Sequence, residues 1–329
     1  MQLRPTTKFF LLGCAALCLA VTVGCGRDDA SGDGAAAATP TGEQLSGKVQ
    51  ADGSSTVGPL TTSAAELFRE EQPGVNATVG ISGTGGGFER FCAGETDISN
   101  ASRPIKPDEE APLCKKEGID YTEFQVAVDA LTVVVNSEND WIDCITTDQL
   151  KAIWEPGSKI KNWKDVPNGD YPDQELALAG AGTDSGTFDY FTDAINGEEG
   201  ASRSDYTASE DDNVVVQAVE GDKGGLGYFG YTYFEENQDR LRALEIDSGD
   251  GCVAPSAETA QSGEYTPLSR PLFVYVKNES LQRPEVQAFM RFYFDNLDRI
   301  AEQAQFISMP EDEIAAQQDK LEQAISAAA

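Results

Sequence analysis

"GAGTDSGTFDYF", Gly180 to Phe191, sets Thr183, Asp184, Ser185 and Thr187 among glycines and then passes straight into an aromatic, helix-like pattern. The stretch leading into it, "ELALAGAG" from Glu175, reads as a strand, so the segment is strand, hydroxyl-and-glycine turn, helix. Two other segments follow the same order: "QADGSSTVGPL" from Gln50 and "VGISGTGGGFERF" from Val79. In each, glycine lets backbone N–H groups point outward and Ser or Thr adds a rotatable donor. The first-turn amides of a helix are unpaired and carry the positive end of its dipole. Such a turn suits an anion and needs no basic side chain. Taken singly, each is equally well read as a helix cap; three in one chain point to a shared ligand.

Apolar runs place the remaining elements. "VNATVGIS", "FQVAVDALTVVVN" and "PLFVYVKN" read as strands, while "PLTTSAAELFREE", "TDQLKAIW", "TFDYFTDAIN" and "RPEVQAFMRFYFDNL" read as helices. The alternation is that of an α/β fold. The last twenty residues, from Pro310, form an aromatic-free helix expected on the outside. "GGLGYFGYTYF" carries Tyr228, Phe229, Tyr231, Tyr233 and Phe234. It could be a carbohydrate-stacking stripe, but its apolar density favours core packing, and Trp141, Trp154 and Trp163 are expected to pack in one region.

The 329 residues include 56 acidic and 24 basic side chains, a formal charge of -32, and no histidine. The missing imidazole removes Ser-His-Asp triads and His-ligated zinc. The longest basic run is Lys115–Lys116, so nucleic acid and anionic membrane surfaces are poor partners. Self-repulsion on this scale is relieved by salt, which leads us to expect adaptation to a saline medium.

Arg4 and Lys8 precede the apolar run Phe9 to Val23, the size of a signal-peptide core. The run closes on "VTVGC", which resembles the lipobox of bacterial lipoproteins although Thr22 departs from it; "LLGC", ending at Cys14, leaves almost no apolar core before it. The expectation is a signal peptide over 1–24, a lipid anchor on Cys25, and a small, polar tether over 25–47. Four cysteines then remain outside the cytoplasm: Cys92, Cys114, Cys144 and Cys252. An even number favours two disulfides. Of the three possible pairings we expect Cys92 with Cys114 and Cys144 with Cys252, since the first two lie close in sequence. No C-x-x-C is present, and neither a metal nor a cofactor is expected.

With these motifs in order, "DGSSTVGPL", "GISGTGGGFERF", "ETDISNASRPI", "GTDSGTFDYFT" and "GGLGYFGYTYF", the chain from Val49 to Asn296 resembles the periplasmic phosphate-binding proteins of bacterial ABC importers. The resemblance implies a type II periplasmic-binding-protein fold: two α/β lobes joined by two crossover strands, with phosphate in the cleft. The lobes would be 48–131 with 271–329, and 132–270; the crossovers would be "LTVVVN" and "PLFVYV". It implies a monomer that catalyses nothing and delivers phosphate to a membrane permease. The site would use Ser55 and Thr56 from the first turn and Ser82, with Gly83 and Thr84, from the second. Ser185, Gly186 and Thr187 would come from the third. Two departures stand out. Arg103 occupies the place of a family aspartate, and the family arginine upstream of the third turn is missing. We therefore expect Arg103 to supply the positive charge, with Asp184 pairing to it and accepting the phosphate proton. Sulfate, molybdate or tungstate is the alternative cargo, and a secreted phosphatase-like hydrolase acting through Ser185 the remaining one.

Overall fold

The computed structural model describes residues 44–329. The expected signal peptide, the lipidation site Cys25 and all but the last residues of the tether lie outside the described residues. Among the described residues the strands are β1 (Gly47–Gly53), β2 (Val75–Ile81), β3 (Ile98–Ala101), β4 (Tyr121–Asn136), β5 (Cys144–Thr146), β6 (Ala177–Ala181), β7 (Thr207–Ser209), β8 (Gly225–Gly230), β9 (Leu241–Ala243), β10 (Glu245–Asp247), β11 (Cys252–Val253) and β12 (Ser269–Lys277). The helices that matter most for the site are α1 (Gly58–Glu71), α2 (Gly83–Cys92), α3 (Ala111–Glu117), α4 (Thr147–Trp154) and α5 (Gly186–Phe191).

One large sheet runs β2-β1-β3-β12-β4-β8-β6-β7, with β9 beside β4, and a small one runs β11-β10-β5. At one end of the large sheet β1 pairs in parallel with β2 and β3, and at the other β6 pairs in parallel with β7 and β8. Between them lie β4 and β12, antiparallel to each other. The sixteen residues of β4 span roughly 50 Å at strand rise. Tyr121 to Ala130 pair with β12 and Leu131 to Val135 with β8, so one strand serves both ends of the sheet.

Two large hydrophobic cores follow from this layout, each with a smaller cluster beside it. The first gathers Val49, Leu60, Phe68, Phe124, Leu272, Phe289 and Tyr293; the second gathers Leu131, Trp154, Trp163, Phe191, Tyr228, Tyr265 and Leu268. The change from one to the other falls between Ala127 and Val128 on β4 and between Leu268 and Leu272 at β12. The helical spacing of Leu60, Ala64, Leu67 and Phe68 puts one face of α1 into the first core, and Pro59 sits in its first turn, where no N–H is needed. The last helix, Glu311–Ala328, buries only Leu321 and Ile325. The "GGLGYFGYTYF" stretch is core: Tyr228 and Phe229 are fully buried, and Tyr228 stacks on Phe191 with ring centroids 3.7 Å apart. Trp154 and Trp163 are buried in the same core, with Trp141 edge-on to Trp163.

One helix differs from expectation. "TFDYFTDAIN" is α-helical only to Phe191 and continues as a π turn over Thr192–Asn196. The Thr192 hydroxyl donates back to the Phe188 carbonyl at 2.9 Å and accepts the Gly200 N–H at 2.8 Å, which widens the last turn.

Both expected disulfides form, Cys92–Cys114 between α2 and α3 and Cys144–Cys252 between β5 and β11. They span 22 and 108 residues, so chain-entropy arguments make the longer one worth about 1.4 kcal/mol more. Urea unfolding of the two Cys→Ser double variants should show the larger loss for Cys144 and Cys252; equal losses would put the stabilisation elsewhere.

Candidate functional site

The three turns end at one cleft. It has a volume of about 340 Å³ and is lined by Ser54, Ser55 and Thr56 from the first turn, Gly83, Thr84 and Gly85 from the second, and Gly186 from the third. β1, β2 and β6 deliver these turns from their C-terminal ends, where ligands of open α/β sheets bind. Gly53 closes β1 with a φ of +141°, and a Cβ there would lie 2.2 Å from the Asn100 carbonyl oxygen. Only glycine fits. The Asn100 carbonyl in turn accepts the Ser54 N–H at 2.9 Å, which fixes the first turn against β3.

Within the first turn the Ser54 hydroxyl accepts the N–H groups of Thr56 and Val57 at 3.2 and 3.3 Å. Ser55 is left as the hydroxyl facing the cleft. Thr84 shares a 3.0 Å hydrogen bond with Ser102 across the start of α2. Gly186 brings the third turn close against the first: a Cβ there would meet Thr56 Oγ1 at 2.7 Å and Ser55 Oγ at 3.3 Å.

Of the residues expected from the sequence, Ser55, Thr56, Gly83, Thr84, Arg103 and Gly186 line this cleft. Four take other positions. The Ser82 hydroxyl donates to Asp52 at 2.7 Å, the Ser185 hydroxyl caps α5 by accepting the Thr187 N–H at 3.2 Å, and Thr187 borders a separate cavity with Asp129 and Asp212. Asp184 is exposed on the third turn and is not part of the cleft lining; its N–H donates to Glu210 at 3.2 Å.

The expected pairing of Arg103 with Asp184 is not formed. Arg103 instead donates both terminal nitrogens to Glu110, at 2.8 and 2.7 Å, and one of them also to the Pro104 carbonyl at 3.1 Å. Glu110 is only seven residues away on the same loop and is buried, so it offers a fork-to-fork partner that an exposed aspartate on another lobe does not. Burial alone would raise Glu110, but the Arg103 fork and the Lys106 N–H hold its carboxyl below the usual range.

Sequence reading missed a second cation. Arg270, at the start of β12, lines the cleft opposite Asp129 of β4, its partner in register. Its Nε and Nη2 donate to Asp129 at 3.2 and 3.1 Å, Nη2 also reaches Thr56 Oγ1 at 3.2 Å, and the guanidinium lies 3.6 Å from the centre of the Tyr190 ring. Burial pushes the Tyr190 phenol far up, and as a neutral donor it bonds the Pro267 carbonyl at 2.8 Å. Asp189, Asp193 and Glu199 complete the lining. Burial and the neighbouring Glu199 raise Asp189 above the ordinary range against the pull of Arg270. The available signal was a lone acid in "FQVAVDALTVVVN" and a lone arginine before "PLFVYVKN", charges set into otherwise apolar strands.

A cleft lined by oriented hydroxyls and amides from both ends of a divided sheet, with guanidiniums at its sides, is an anion-binding geometry. Comparison with known proteins agrees. Residues 37–296 match the family model of the PBP superfamily domain. The phosphate-binding protein PstS of Staphylococcus saprophyticus is 39% identical over 320 residues, covering 97% of this chain and 95% of that one. The chain belongs to the PBP superfamily and, within it, to the PstS family. Protein SphX of Synechococcus elongatus is 47% identical over 265 residues, covering 80% of this chain and 77% of the other. A crystal structure described as a possible phosphate binding protein, from Planctomyces limnophilus, aligns with a TM-score of 0.81 at 48% identity, over 85% of this chain and 99% of that one. The two-lobe fold of the family is the fold seen here, with β4 and β12 joining the lobes.

Because the folded-state value of Glu110 is depressed, the stability it contributes is complete above the ordinary glutamate range and is lost as pH falls through that lower value. The Tm gap between the wild type and Glu110→Gln should be widest near neutral pH and close below about pH 4. A gap that stays constant to pH 3 would mean that the Arg103 fork contributes nothing through the charge of Glu110.

Proposed function

We propose that this chain binds inorganic phosphate between its lobes and delivers it to a membrane ABC permease, without catalysing a reaction. The observation that carries the reading is the meeting of three hydroxyl-and-glycine turns, drawn from both lobes, around one cleft that also holds Arg103 and Arg270. The anion would be held by Ser55, Thr56, Thr84 and the glycine-flanked amides of Gly83 and Gly186. Ser82, Ser185 and Thr187 would act from behind, by fixing Asp52 and capping α5. A hydrolase reading gains no support, because the Ser185 hydroxyl serves as a helix cap. We further propose that the protein is exported and anchored through Cys25, and that its acidic surface suits a saline medium.

Selectivity follows from the lining. At neutral pH phosphate retains a proton and can donate a hydrogen bond, whereas sulfate cannot; a carboxylate facing the anion accepts from one and repels the other. Asp184 is the acceptor expected from the sequence, but the carboxylates that border the cleft are Asp189, Asp193 and Glu199; of these Asp189 shares α5 with Gly186 and feels the charge of Arg270, and we take it as the acceptor. Calorimetric titration of the full chain should show phosphate bound at micromolar or tighter Kd and sulfate at least tenfold weaker, a difference of about 1.4 kcal/mol or more. Asp189→Asn should narrow that gap. Absence of phosphate binding would sink the proposal, and equal binding of the two anions would leave the receptor but remove its acceptor.

Gly186→Ala tests the closed cleft independently. The added methyl would lie 2.7 Å from Thr56 Oγ1, so the lobes must part for it to fit. Phosphate affinity should drop about tenfold or more with little change in ligand-free Tm, and unchanged affinity would show that the two turns need not approach each other.

A further inference from the structure

Two guanidiniums line the cleft, and their free donors differ. Arg103 has both terminal nitrogens engaged by Glu110, one of them also by the Pro104 carbonyl. Arg270 engages Nε and Nη2 with Asp129 and Thr56, and among the described residues its Nη1 has no acceptor. Arg270 is also the more confined, its side chain 19% exposed against 36% for Arg103, and Asp129 beside it is 8% exposed. A guanidinium held by one edge against a carboxylate, with its face on Tyr190, presents the remaining N–H groups in a fixed direction.

Its place in the fold adds a second consideration. Arg270 touches the first-lobe turn through Thr56, the second lobe through Tyr190 on α5, and β4 through Asp129. A group in contact with its Nη1 would therefore be tied at one time to both lobes and to the strand pair that joins them. No other charged side chain in the cleft lining makes contacts of this kind among the described residues.

Resting on the phosphate reading above, we propose that Arg270 is the cation that contacts the bound anion, and that Asp129 is its positioning residue. The charge that completes the site thus sits on the crossover strands rather than on a lobe. The competing account is a buried ion pair with no ligand role, and such pairs contribute little net stability.

The experiment is titration of inorganic phosphate into the full-length wild type, Arg270→Gln, Arg270→Lys, Asp129→Asn and Asp129→Ala, with ligand-free Tm measured for each. Loss of a charge-assisted hydrogen bond should weaken Arg270→Gln by about 10- to 150-fold. Arg270→Lys retains the pairing with Asp129 but lacks the second terminal nitrogen, and should remain folded with affinity at least several-fold lower. Asp129→Asn keeps an oxygen acceptor for the guanidinium and removes a negative charge, so it should bind as tightly as the wild type or tighter. Asp129→Ala, which frees the guanidinium, should bind more weakly. A wild type that fails to bind phosphate overturns both the phosphate reading and this assignment. A wild type that binds, with Arg270→Gln and Arg270→Lys folded and equal to it, overturns the assignment alone. So does a set of variants that lose Tm while the folded protein keeps its affinity.

Discussion

The antiparallel pairing of β4 with β12 is the constraint on which everything else in this molecule depends. β4 contributes to both cores and β12 to the first, with Leu268 just ahead of it in the second, and the register that pairs Tyr121 with Lys277 at one end shifts by one residue at the irregularity between Leu272 and Phe273, so that Ala130 meets Ser269 at the other. Among the described residues no other strand of the large sheet crosses from one half to the other, so the lobes are separately packed bodies joined by these two strands and by the segment around Ile307, which bridges to Val128 and packs in the second core. Close-packed cores respond to force as units, which leaves bending of the shared strands and the short segments beside them as the soft degree of freedom. A side chain placed on those strands at the cleft feels any change in the relation of the lobes. Asp129 and Arg270 occupy that place, directly opposite one another.

The parallel strands at each end of the sheet then decide where the turns go. Because β1 and β2 run in the same direction, their C-terminal turns emerge on one edge, and β6 brings the third turn to the same cleft from the other lobe. A chain with 56 acidic residues has a physical reason to build such a site from neutral groups. The two cations that line the cleft are each paired with a neighbouring carboxylate, Arg103 with Glu110 and Arg270 in part with Asp129. Hydroxyls and amides cannot be neutralised in this way; their dipoles stay available once the local caps, Ser54 and Ser185, have fixed the turns.

Much of this was legible from the sequence for reasons that are local. The strand-turn-helix order depends on residues within a dozen positions, so "DGSSTVGPL" and "GTDSGTFDYF" could be placed without tertiary knowledge, and the apolar density of Tyr228 and Phe229 was enough to assign them to the core. What failed was non-local. Arg103 pairs with a buried carboxylate seven residues away rather than with Asp184 across the cleft, because sequence does not reveal that Glu110 is turned inward. Arg270 and Asp129 do not stand out in the sequence because strand assignment rests on apolar character, and each is the residue that interrupts it. Their meeting depends on register across 141 positions, which no local pattern encodes. The end of α5 is hidden from the sequence for a similar reason, since the Thr192 hydroxyl competes with the helix only when Gly200 returns to bond it.

The acidic surface and the anionic cargo are at first sight in conflict, and resolving the conflict explains the form of the cleft. A net charge of -32 repels an approaching dianion at a distance, and it does so most strongly where the Debye length is long. At high ionic strength that length shrinks to a few ångströms, so the outer field fades while interactions inside the cleft, shielded from mobile ions by both lobes, keep their strength. Affinity must then reside in groups that touch the ligand rather than in long-range attraction. Short-range dipoles on three turns, with a guanidinium fixed on the crossover strands, meet that requirement. On the proposed reading, the carboxylates lining the same cleft, Asp189 above all, are compatible with the cargo because it carries a proton it can share with one of them. An anion without that proton would meet the same carboxylates as bare repulsion, so on that reading the acidity that hinders approach would also serve discrimination.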